Sequence, residues 1–141
     1  MRISERRQSK KRDAILELIR SSKTHPTAQW VYERLKGQFP DLSLGTVYRN
    51  IKVLTGEGAL TSLGVVHGEE RFDGIPALHS HAICTRCGQI VDLDETISSR
   101  LSAPLPNEIN GFAIDLRKTV FYGLCGGCKT GVSTETTALG R

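Results

Sequence analysis

Every cysteine of the 141-residue chain belongs to one of two C-x-x-C pairs, Cys84-Thr-Arg-Cys87 and Cys125-Gly-Gly-Cys128. This spacing lets one pair present two thiolates to a single ion, and Gly88, Gly126 and Gly127 permit the tight turns required. Together the two pairs make up the ligand set of a tetrahedral four-cysteine zinc site. The 37 residues between Cys87 and Cys125 exceed the gap of a short zinc ribbon, so the ion would tie the first and last strands of a domain together. The alternatives are redox dithiols or two unrelated free pairs. Neither pair lies in a thioredoxin-like βαβ pattern, and zinc is the better reading. Four thiolates leave no open coordination position, so such an ion serves folding rather than catalysis.

The histidines form a second group. His79-Ser80-His81 directly precedes the first cysteine pair, and residues two apart on a strand point to the same face, which lets both imidazoles reach one ion. Asp73 lies upstream and Asp92 downstream, while His25 stands just before Thr27 at a helix start, where it is read as exposed and able to act as a ligand. Any one of these alone is an ordinary surface residue; the His-x-His pair with carboxylates nearby is a candidate metal site. His67, in a predicted turn, is read as a plain polar residue.

The elements that must carry these residues follow from periodicity. Ala14, Ile15, Leu18 and Ile19 share one face of a helix over Arg12–Arg20. Thr27 caps a second helix whose apolar positions Val31, Leu35 and Phe39 run up to Pro40, and Ser43 caps a third in which Leu44, Val47, Ile51 and Leu54 recur until Gly56 and Gly58. Ala59–Val66 and Glu70–Asp73 read as strands flanking a His67-Gly68 turn. Three helices and a hairpin describe a winged helix-turn-helix. The outer face of the third helix is assigned Thr46, Tyr48, Arg49, Asn50 and Lys52, side chains that reach phosphates and base edges, although a solvated polar face is the plainer alternative.

Beyond a short hinge (DGIPAL, from Asp73 to Leu78), β-like runs occupy His79–Cys84 and Gln89–Leu93, a helix runs from Glu95 to about Ala103, and one long strand from Phe112 to Leu124. The fold class is therefore α+β. A winged-helix DNA-binding domain is expected over residues 1–73, a hinge over 74–78, a small α/β zinc-binding domain over 79–129, and a disordered polar tail over 130–141.

Charge supports this division. Through Gly58 there are 12 Lys+Arg against 6 Asp+Glu, and the remainder has 7 against 9. A basic first half suits a polyanion such as double-stranded DNA. No apolar run approaches the roughly 18 residues of a membrane span, and the basic N-terminus has no apolar stretch behind it, so a cytoplasmic protein without membrane contact is expected.

Taken in order, HPTA at His25–Ala28, S-x-x-TVY at Ser43–Tyr48, RFD at Arg71–Asp73, HSHAIC-x-x-CG at His79–Gly88, IVD at Ile90–Asp92 and YG-x-C-x-x-C at Tyr122–Cys128 resemble the ferric-uptake-regulator (Fur) superfamily. Within it the chain is most similar to the peroxide-sensing PerR branch, over about Arg12–Cys128. The resemblance implies a homodimeric, metal-dependent repressor that binds an operator in double-stranded DNA. It implies structural Zn²⁺ on Cys84, Cys87, Cys125 and Cys128, and regulatory Fe²⁺ or Mn²⁺ on His25, Asp73, His79, His81 and Asp92. Aspartate at both acidic positions is what points to the peroxide-sensing branch. Three imidazoles and two carboxylates without a thiolate suit Fe²⁺ or Mn²⁺. With Fe²⁺, peroxide would add oxygen to a ligand imidazole, at the positions of His25 or His79, and the metal would be lost. With Mn²⁺, repression would persist through peroxide.

Three departures from the family pattern stand out. The family's first helix is expected to be largely missing, Ser9-Lys10-Lys11-Arg12 replaces the usual T-P-Q-R, and Arg117 stands where many relatives carry a histidine for a further metal site, so no such site is expected. The competing functions are an iron-, manganese- or zinc-availability regulator of the same superfamily, a zinc-stapled DNA-binding protein without a sensory metal, and a zinc hydrolase or nucleobase deaminase. A deaminase needs glutamate in H-x-E beside its metal, and His81 occupies that position. A non-enzymatic regulator is the reading taken forward.

Overall fold

Residues 3–75, 79–102, 108–114 and 119–130 are described by the computed structural model, which divides into two units, Met1–Ala77 and Leu78–Arg141. The first unit opens with α1 (Ile3–Ser21), which starts well before Arg12. Its early turns are nearly all polar and so lack the apolar rhythm that reveals a helix, yet Glu5, Arg6, Arg7, Gln8, Lys10 and Lys11 are all good intrinsic helix formers. Thr27 caps α2 (Ala28–Leu35) by accepting the Trp30 N–H at 3.1 Å. That helix stops short of Phe39, in a turn that contains Gly37. Ser43 caps α3 (Leu44–Gly56) in the same way, accepting the Thr46 N–H at 3.1 Å.

Strands β1 (Thr61–Val66) and β2 (Glu69–Asp73) form an antiparallel hairpin around His67-Gly68. The φ values there are 51° and 84°, both positive as a two-residue hairpin turn demands. The core of this unit is a single cluster: Ile15 and Ile19 from α1, Ala28, Val31 and Leu35 from α2, Val47, Ile51 and Leu54 from α3, and Leu42, Leu60 and Phe72 around them. Each fully buried aliphatic side chain contributes about 1.5–3 kcal/mol relative to exposure, so this cluster holds the three helices and the hairpin together.

The second unit is built on a three-stranded sheet in the order β4-β3-β7. The central strand β3 (Ser80–Cys84) pairs antiparallel with β4 (Ile90–Leu93) and parallel with β7 (Val120–Gly123). Helix α4 (Glu95–Ser102) follows β4. A short hairpin of β5 (Glu108–Ile109) and β6 (Phe112–Ala113) comes next, and α5 (Gly126–Lys129) carries the end of the second cysteine pair.

The single strand expected over Phe112–Leu124 is thus replaced by β6 and β7, separated by Ile114, residues 115–118 and Thr119. Asn110-Gly111, with φ of 50° and 80°, turns β5 back on β6. This Asn-Gly pair is a strong hairpin signal that the apolar run after it obscured. Residues 76–78 of the expected hinge, Ala103, Arg117 and residues 131–141 of the expected tail lie outside the described residues. Among the described residues, no helix is long and apolar enough to cross a membrane.

Candidate functional site

The four cysteines meet because β3 and β7 run parallel and in register, with Cys84 opposite Gly123. Both strands then deliver their C-x-x-C pairs at the same end of the sheet. The Thr85 N–H donates to the Gly123 carbonyl at 2.9 Å, locking the two exits together. Each pair is closed by its own backbone bonds: Gly88 N–H to the Cys84 carbonyl at 2.9 Å, and Cys128 and Lys129 N–H to the Cys125 carbonyl at 3.1 and 2.9 Å. Arg86, inside the first pair, donates to the Cys128 carbonyl of the second at 3.2 Å.

One ligand atom from each cysteine lies within 4.8 Å of all the others, and Cys87 Sγ is 3.7 Å from Cys125 Sγ. Tetrahedral coordination with Zn–S bonds of about 2.3 Å sets sulfur atoms about 3.8 Å apart, whereas a disulfide needs about 2.05 Å. The arrangement therefore fits zinc. Backbone N–H groups, first that of Cys125 and then that of Cys87, draw the Cys84 thiol down to about 5. Hydrogen bonding to the Cys125 thiol, then burial, pushes Cys128 up to about 12. One thiolate is favoured by the backbone and the last is opposed by its neighbours, an imbalance that a divalent cation resolves.

In the first unit His25 and Asp73 are both buried, with Nε2 and Oδ2 3.7 Å apart. The burial of His25 overturns the expectation of an exposed imidazole. Asp73 Oδ1 also accepts the Ile75 N–H at 2.8 Å. His25 has φ of 53°, a region that costs an L-residue about 1–2 kcal/mol, and it does so immediately before Pro26, whose ring crowds the preceding residue. The guanidinium of Arg71 on β2 holds this loop, donating from Nε to the His25 carbonyl and from an Nη to the Thr24 carbonyl. The Phe72 N–H donates to the Pro26 carbonyl at 3.1 Å. Desolvation lowers the pKa of Arg71. Arg71 is not a metal-ligand type, so donor chemistry does not single it out; its place two residues from Asp73, on the same strand face, is the signal that the sequence offers.

In the second unit the strand register makes the cluster. His81 is the cross-strand partner of Asp92, so their side chains share a face, and His79 lies two residues before His81. His79 Nε2 and His81 Nε2 approach the same Asp92 oxygen, at 3.0 and 3.1 Å, with the ring centroids 4.4 Å apart. Two imidazole nitrogens and a carboxylate oxygen converging without a thiolate form a mixed nitrogen and oxygen donor set for a divalent transition metal such as Fe²⁺ or Mn²⁺.

On α3, Tyr48, Arg49 and Lys52 are exposed and Thr46 is partly so. The Thr46 hydroxyl lies 2.9 Å from the Ser43 hydroxyl and accepts from an Arg49 Nη at 3.1 Å. Asn50 does not belong with them. It is 6% exposed, accepts from Arg12 Nε at 3.1 Å and donates to the Thr46 carbonyl at 3.0 Å. Three residues after Val47 and four before Leu54, it falls on the apolar stripe rather than opposite it.

The profile of the ferric uptake regulator family matches residues 4–115. The peroxide operon regulator of Bacillus subtilis (strain 168) is 38% identical over 122 residues, covering 83% of this chain and 80% of its own. Two solved structures share the fold. The ferric uptake regulator Fur of Helicobacter pylori, described as revealing three functional metal binding sites, has a TM-score of 0.70 at 21% identity over 88% of this chain and 83% of its own. The Campylobacter jejuni peroxide stress regulator has a TM-score of 0.67 at 24% identity over 91% of this chain and 100% of its own.

Proposed function

The chain belongs to the ferric uptake regulator family, and from that premise we propose that it is a metal-dependent, DNA-binding transcriptional repressor that senses hydrogen peroxide. The observation that carries the reading is the separation of donors: four cysteines in one cluster, and imidazoles with aspartates, free of thiolate, elsewhere. Cys84, Cys87, Cys125 and Cys128 hold structural Zn²⁺. His25 and Asp73 from the first unit and His79, His81 and Asp92 from the second serve one regulatory Fe²⁺ or Mn²⁺. The first unit binds the operator through Thr46, Tyr48, Arg49 and Lys52, and the second forms a homodimer. Exposed apolar side chains in the second unit, Phe112 at 71% and Tyr122 at 69%, support the dimer. The protein works in the cytoplasm as a regulator, not as an enzyme.

In this reading the aspartates orient the imidazoles and neutralise the ion, while the histidines set its affinity. The chemistry that bound Fe²⁺ supplies is peroxide reduction, with one oxygen passing to a ligand imidazole and the other leaving as water. His25 or His79 would be the imidazole that takes it. An oxidised ring is a poorer donor, so the chain loses its hold on the ion and then on DNA. Moving the population from almost all released to almost all bound requires the metal to favour the DNA-binding form by about 5.5 kcal/mol, a demand that five donors are suited to meet.

The test is anaerobic loading with Fe²⁺, a stoichiometric pulse of hydrogen peroxide, peptide mass spectrometry and a DNA-binding assay. Added oxygen on the His25 or His79 peptide, with loss of DNA binding, is expected. With Mn²⁺ in place of Fe²⁺ both should stay unchanged. Intact histidines in the Fe²⁺ sample, alongside metal-dependent DNA binding, would make the chain a metal-availability regulator instead.

A further inference from the structure

We propose that Arg71 is a positioning residue for the regulatory metal, presenting the His25 imidazole by gripping the backbone on which it stands. The inference rests on the metal-sensing reading of His25 and adds a residue that touches no ion.

Three consecutive residues of β2 engage three consecutive residues of the α1–α2 loop. The Arg71 guanidinium donates to the Thr24 and His25 carbonyls, and the Phe72 N–H donates to the Pro26 carbonyl. Asp73, next along, lies 3.7 Å from His25 Nε2. His25 keeps a positive φ of 53° ahead of a proline, whose ring pushes the preceding residue toward extended conformations instead. Relaxing φ to the usual negative range would swing the Cα–Cβ bond and carry the imidazole away from Asp73.

A planar guanidinium holds its N–H groups in a fixed fork that can meet two neighbouring carbonyls at once, whereas an ammonium has no preset direction for its donors. Phe72 anchors the same strand in the hydrophobic core, so the grip has a rigid base. Arg71 thus makes β2 a frame that fixes one imidazole and one carboxylate relative to each other before an ion arrives. Such pre-organisation raises affinity without adding a ligand.

The test is Mn²⁺ titration of the zinc-loaded full chain as wild type, Arg71→Met, Arg71→Lys, His25→Ala and Leu60→Ala, with thermal unfolding of each zinc-loaded protein before Mn²⁺ is added. Leu60 lies in the core of the same unit and serves as a variant that lowers stability alone. Arg71→Met is expected to weaken Mn²⁺ binding by about 10–100-fold, Arg71→Lys by less, and Leu60→Ala not at all despite its lower melting temperature. Should Arg71→Met fail to fold, Arg71→Lys carries the comparison with Leu60→Ala. Wild-type affinity in the folded Arg71 variants, while His25→Ala binds weakly, overturns the role of Arg71 and leaves the metal site standing. Unchanged affinity in His25→Ala removes the metal-site reading, and the inference with it.

Discussion

A buried amide must satisfy its donor and its acceptor within the protein, and Asn50 does both across two helices. Its oxygen accepts from Arg12 on α1 and its nitrogen donates to the Thr46 carbonyl on α3. Asn50, expected on the outer face of the third helix, is instead a buried link between α1 and α3. Asn50→Ala should lower stability by about 1.5–3 kcal/mol, the range for a hydrogen bond to a charged group, as read by urea denaturation. In a double-mutant cycle with Arg12→Met, the two losses should fall short of additive. Additive losses would mean that the pair contributes nothing. Thr46 differs from Asn50 by standing one turn earlier, partly exposed, with a hydroxyl held between Ser43 and Arg49.

Strand β2 does more than complete the wing. It buries Phe72, sets Asp73 beside His25, and is followed by Gly74, which lies against the end of α1. Arg20 Nε donates to the Gly74 carbonyl at 3.3 Å. A Cβ at position 74 would stand 2.8 Å from Arg20 Cγ and 3.1 Å from the Arg20 Cα and backbone nitrogen. The flexible side chain can move aside, but the helix backbone cannot do so cheaply. Gly74→Ala is therefore expected to cost about 1–3 kcal/mol, as overpacking does, with a lower melting temperature as the readout. An unchanged melting temperature would show that this close approach is not a constraint.

For the molecule as a whole, the two units draw their stability from different sources. The first has a continuous apolar core spread over three helices and the hairpin. In the second, the buried apolar residues among those described are Ile83, Cys84 and Ile90. So small a core needs a staple, and the four-cysteine cluster at the β3–β7 end is placed to provide one. Stripping zinc with a strong chelator should abolish amide-exchange protection in β3 and β7 while the helices of the first unit keep theirs. Protection that survives in β3 after the metal has gone would show that the sheet holds itself together.

Chemistry carried by residue type and short spacing was legible in the sequence. The two C-x-x-C pairs, the His-x-His pair, the caps at Thr27 and Ser43 and the positive-φ turn at His67-Gly68 depend on neighbours within a few positions, where local sterics and hydrogen bonding decide the outcome. The polar start of α1 was illegible because it packs no apolar face, and the split of the last strand because one hydrophobic run accommodates either arrangement. Tertiary structure alone decided that β7 lies parallel to β3 with Cys84 opposite Gly123, that Asp92 stands across from His81, and that Arg71 reaches back to the His25 backbone. Each of these joins residues distant in sequence, and no local preference encodes which strand becomes a neighbour. That choice belongs to the packing of the whole chain, where burial of the shared core outweighs what any single segment prefers.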